Sequence, residues 1–107
     1  MIGAPHGASE EQHGKVAEKI SDASARGRIA VTGEIVSCAI TRHGGSIAYR
    51  LEIDDGADRL ALLFLGRGAI PGLDVSARVR VWGTAMADGA GLVTWNPRYE
   101  FVSPTEA

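Results

Sequence analysis

Few of the side chains able to do chemistry stand at spacings that chemistry uses. The sequence has three histidines, His6, His13 and His43, and a single cysteine, Cys38. None of these falls into a recognised metal-ligand spacing. Asp54, Asp55 and Asp58 cluster as the carboxylates of a metal site do, but they surround Gly56 in a stretch that reads as a hairpin turn. There Asp serves the backbone as a hydrogen-bond acceptor. No glycine-rich loop ends in Lys-Ser/Thr to cradle a phosphate, and no serine stands in a Gly-x-Ser-x-Gly elbow that would expose a nucleophile. Cys38 reads as a small buried side chain. The chain is expected to be no enzyme, with no catalytic residue, no metal and no cofactor.

What remains is cationic and aromatic. Both lysines, Lys15 and Lys19, lie near the start; from residue 28 onward the basic residues are eight arginines, Arg28, Arg42, Arg50, Arg59, Arg67, Arg78, Arg80 and Arg98, facing nine acids. The planar donors of arginine suit phosphate and base contacts. A composition biased toward Ala, Gly, Val and Arg accounts for the same count, and the two readings hold together. The formal net charge of −2 excludes a protein that coats DNA through bulk positive charge. Any basic track must be local and built from few arginines.

The elements that position these residues follow from length and pattern. A chain of 107 residues, 45 % hydrophobic and 22 % charged, suits one small globular domain. No apolar run is long enough to span a membrane and the start lacks a signal pattern, so no membrane association is expected. A lone cysteine excludes an internal disulfide framework and fits the cytoplasm. Residues 1–27 read as a flexible lead followed by an α-helix. Ser9 with Gln12 fits a capping box, Glu10 and Glu11 fall in the first turn, and Val16, Ile20 and Ala23 recur at helical spacing before Gly27 stops the helix.

From Arg28 the pattern becomes strands and turns. Residues 28–41 are rich in Ile, Val and Thr, with Gly33 marking a bend or a one-residue bulge. Residues 47–54 alternate, with Ile47, Tyr49, Leu51 and Ile53 on one face; residues 59–66 are apolar on both faces; residues 75–87 and 91–102 form two more strands. Turns fall at Arg42 to Ser46, at Asp55-Gly56 and at Asp88-Gly89. The segment Gly66 to Asp74 is too short for more than two helical turns. Five strands joined by two hairpins, a crossover and a third hairpin predict a mainly β fold, a five-stranded Greek-key barrel preceded by the helix, over residues 28–102, with 103–107 as a polar tail.

The segments Val31-Thr32-Gly33-Glu34-Ile35, Leu51 to Gly56, Leu62 to Arg67, Ile70-Pro71-Gly72, Val81-Trp82-Gly83 and Asn96-Pro97-Arg98-Tyr99-Glu100 together resemble the small actinobacterial OB-fold nucleic-acid-binding domain proteins. These belong to the superfamily of the anticodon-binding and helicase-wedge OB domains. Phe64-Leu65-Gly66-Arg67 with Ile70-Pro71-Gly72, and Asn96-Pro97-Arg98-Tyr99, are the most specific pieces. The resemblance implies nucleic-acid binding.

OB-folds hold single strands across their second and third strands, between the first and last hairpin loops. Such binding uses cations along a groove and aromatic faces for stacking. On that reading Arg42 and His43 come from the first loop, Arg50 from the second strand and Arg67 from the end of the third. Trp95, Asn96 and Arg98 come from the last strand. Asn96-Pro97 either presents Asn96 and Arg98 at the groove or only shapes the strand. Arg59 is expected to pair with Asp54. The expected partner is single-stranded DNA or RNA. The alternative is a protein-interaction or self-association module using Arg78, Arg80 and Trp82, which share an outward face opposite Val79 and Val81.

Overall fold

A computed structural model describes residues 15–103. Its strands are β1 (Val16–Ala17), β2 (Arg28–His43), β3 (Ser46–Asp54), β4 (Arg59–Leu65), β5 (Arg78–Asp88), β6 (Gly91–Trp95) and β7 (Arg98–Phe101), with one 3-10 turn at Ile20–Asp22. The three expected hairpins are present, and each turns on a glycine with positive φ: Gly44, Gly56 and Gly89.

The pairings run in a closed circuit. β2 pairs with β3, β3 with β4, β4 in parallel with β6, β6 with β5, and β5 returns to the first half of β2. The two remaining strands are additions: β1 lies parallel to the start of β2, and β7 lies antiparallel to β5. The interior is filled by one alternation of each strand, including Ile29, Val31, Ile35, Leu51, Ile53, Leu60, Leu62, Val79 and Val81, all nearly inaccessible. Tyr49 lies in this core as its alternation predicts, and Phe64 lies there with it. Ile70 and Leu73, from the irregular crossover between β4 and β5, pack into it as well.

Strand β2 is shared between two neighbours, so it must bend. Its register against β3 shifts between Ile35 and Ser37, placing the bulge just beyond Gly33. Gly33 has a different role: a Cβ there would stand 2.7 Å from the Asp54 carbonyl oxygen, so only glycine lets the two backbones come this close.

Two expectations are corrected. Residues 15–26 hold no α-helix; they form β1 and the 3-10 turn. Residues 9–14 of the expected helix lie outside the described residues. Tertiary contacts override the local pattern here. Val16 and Ala17 add to the β2 edge, Ile20 is buried in the core, and its N–H is bound by Asp55. The sheet also has seven strands rather than five, because β1 is added and the last strand is broken at Asn96-Pro97. Asn96 has φ +49 and the register against β5 changes by one residue across the break. No helix among the described residues is long and apolar enough to cross a membrane.

Candidate functional site

The outward face of β3, β4 and β6 lies between the β2–β3 and β5–β6 loops. Its floor is apolar and made of small or branched side chains: Ala48, Ala61, Leu63 and Val93 are buried together although they point away from the core, and Trp95 packs against them. The register sets Arg50 opposite Leu63, and Leu63 beside Trp95. At the loop end His43 meets Trp95 edge-to-face, with centroids 4.8 Å apart and an interplanar angle of 82°. An aromatic pair and a cation thus stand over one apolar floor.

The charge on this face is balanced. Arg50 lies 3.8 Å from both Glu52 and Asp88, and such loose, half-exposed pairs bind weakly. Arg42 and Arg67 are exposed at the same end of the sheet: Arg42 is registered with Ile47, and Gly66, next to Arg67, donates its N–H to the Ile47 carbonyl. Alternation turns Arg42 to the other side of the ribbon from His43. Asn96 has a structural task. Its Oδ1 accepts the Leu65 N–H at 2.9 Å and its own N–H donates to the Leu63 carbonyl, so it extends the ladder of β4 where the chain breaks.

Arg98 lies elsewhere. The one-residue shift at Asn96-Pro97 turns it outward beside Trp82, its registered partner on β5. The Arg98 guanidinium stands 4.9 Å from the Trp82 ring centroid and that of Arg80 stands 5.4 Å away. Arg78 and Arg80 share this outward face, as their alternation predicts, with Val79 and Val81 fully buried behind them. The sequence pattern did not bring Arg98 to Trp82; the only signal for it was the Asn96-Pro97 dipeptide. Nor did any pattern mark Asp88 as a partner of Arg50.

The aspartates of the β3–β4 turn serve the backbone. Asp54 accepts the Gly56 N–H at 2.7 Å and the Arg59 Nε at 3.1 Å; the backbone bond and then Arg59 hold its carboxyl below the usual range. Burial would raise the Asp55 carboxyl, but N–H donors from Ile20, Asp58 and Ala57 outweigh it and hold it low. No group of three or more His, Cys, Asp or Glu among the described residues is arranged to hold a metal. The Tyr49 hydroxyl donates to the Leu73 carbonyl at 2.7 Å, beside Cys38; burial, then Cys38, pushes its pKa up to about 12.

No family model matches the sequence, and no curated protein does. Among solved structures the chain is similar to the OB domain of Ta0387 from Thermoplasma acidophilum, determined in solution by NMR. The TM-score is 0.64 at 22 % identity, over 82 % of this chain and 87 % of that one. The likeness carries the fold, and with the strand circuit described above it makes this chain an OB-fold protein.

Proposed function

We propose that this protein binds single-stranded DNA or RNA without catalysis, in the cytoplasm, on the outward face of β3, β4 and β6. The observation that carries the reading is the His43–Trp95 pair on its apolar floor beside Arg50, at the place where OB-folds receive single strands. Bases stack on the Trp95 and His43 rings, and phosphates meet Arg50, with Arg42 and Arg67 at the rim. Glu52 and Asp88 compete for Arg50 and few cations are available, so binding is weak to moderate and falls with salt. Asn96 contributes by fixing where Trp95 stands.

The test is a titration of labelled single-stranded DNA and RNA at low and high salt, with Arg50→Glu and Trp95→Ala beside the parent. The reading expects binding that falls with salt and with either substitution. Absence of binding at low salt overturns it.

A further inference from the structure

The outward face of the first half of β2, β5 and β7 is the more cationic side of the sheet. It carries Arg28, Arg78, Arg80 and Arg98 against Glu34 and Glu100, half of the eight arginines from residue 28 onward. Arg50 pairs with Glu52 and Asp88, and Arg59 with Asp54. Arg80 and Arg98 instead face the Trp82 ring, and the Arg78 Nε is buried with no hydrogen-bond partner. Guanidinium groups this close to an indole combine N–H donors that suit phosphate with planar groups on which a base stacks.

This face continues from the one already described. Trp95 and Arg98 both point outward on the same run along β5, separated only by the Asn96-Pro97 bulge. At about 3.3 Å per residue they stand within about 10 Å of each other. Between them, on the outward side of β5, is the small side chain of Thr84, and a cleft of about 310 Å³ lined by Val16, Arg28, Trp82, Thr84 and Arg98 opens beside it. The residues around Trp82 do not make the apolar centre that a protein interface uses: its neighbours across the sheet are Ala30, Thr32 and Thr84 with charged side chains.

We propose that a single strand bound at Trp95 continues over the β6–β7 junction to a second station, where Trp82 with Arg80 and Arg98 receives a base and its phosphates. This rests on the nucleic-acid reading above and extends its site around the protein.

The two tryptophans of the chain, Trp82 and Trp95, make the test direct. In full-length Trp95→Phe protein Trp82 is the sole indole, and in Trp82→Phe protein Trp95 is. Each is titrated with oligothymidylates and oligouridylates of about 5 and about 15 nucleotides, which bracket the usual OB site size. The expected result is quenching of Trp95 by both lengths and of Trp82 by the longer alone. The Arg80→Gln/Arg98→Gln protein should lose several-fold affinity for the longer strand, with a salt slope smaller by about one to two, and little for the shorter. Quenching of Trp95 with Trp82 and the double variant unaffected overturns the second station and leaves the first. No quenching of either overturns both. Self-association in sedimentation that Trp82→Ala abolishes, with strand binding unchanged, assigns the face to a second copy and also overturns the proposal.

Discussion

Asp55 Oδ2 accepts the backbone N–H of Ile20 at 2.9 Å, tying the segment before β2 to the β3–β4 hairpin across 35 residues. The other oxygen accepts the Ala57 and Asp58 N–H groups, so a single carboxylate closes the turn and docks the chain that precedes β2. Asp55→Ala is expected to lower stability by about 1.5–3 kcal/mol, the range for hydrogen bonds to a charged group, as read by urea denaturation at neutral pH. The sign of the pH dependence follows from its depressed carboxyl. The folded value lies below the unfolded one of about 3.9, so the contribution is complete above that pH and lost as pH falls through the folded value. The stability advantage of the parent over Asp55→Asn should therefore shrink as the pH falls below the unfolded value.

The same contact explains what the sequence could not tell. The capping box at Ser9 and the Val16, Ile20, Ala23 spacing are local signals, and local signals yield to tertiary bonding. Residues 15–26 gain more as an added strand and a buried Ile20 than as a helix with a thin apolar stripe. The hairpins were legible because their turns carry their own chemistry in Gly44, Gly56 and Gly89, and because Tyr49, Leu51 and Ile53 alternate without interruption. Arg50 was placed on the outer face of its strand by alternation, whereas the side taken by Trp95 was not. Alternation leaves the side on which Arg98 stands open as well, because one extra residue at the bulge reverses every later side chain.

That bulge gives a second prediction. Asn96 has φ +49 and supplies the acceptor for the Leu65 N–H. Asn96→Gly keeps the backbone conformation and removes only the acceptor, whereas Asn96→Ala adds strain in the left-handed region. Both should destabilise, the glycine variant by about 1 kcal/mol and the alanine variant by more. Hydrogen exchange at the Leu65 amide should accelerate in both. Exchange unchanged in the glycine variant would remove Asn96 from its structural role.

Tyr49 links the β3 strand to the crossover through its hydroxyl bond to the Leu73 carbonyl. Its hydroxyl is raised to about 12 by burial and by Cys38, against an unfolded value of about 10. The unfolded chain therefore releases this proton first as pH rises. Stability from this group is whole below about pH 10 and lost as pH climbs toward 12. Tyr49→Phe should cost about 1 kcal/mol at neutral pH and should show a smaller loss of stability than the parent between pH 10 and pH 12. Equal alkaline slopes in the two proteins would mean that Tyr49 titrates as it does in the unfolded chain.

The charge balance on the proposed binding face gives the last prediction. Asp88 lies in an exposed hairpin and reaches Arg50 at 3.8 Å, as Glu52 does from the neighbouring position on β3. An exposed pair of this length adds little to folding, so Asp88→Asn should leave the denaturation midpoint nearly unchanged. Its effect on a phosphate backbone is different, because it removes a negative charge from the rim and frees Arg50 to meet a phosphate. Affinity for single strands should rise several-fold at low salt, and the gain should shrink as salt rises toward physiological strength, where charges more than about 8 Å apart are screened. A neutral outcome at low salt, with binding otherwise intact, would place the phosphate path away from Arg50 and toward Arg42 and Arg67 at the end of the sheet.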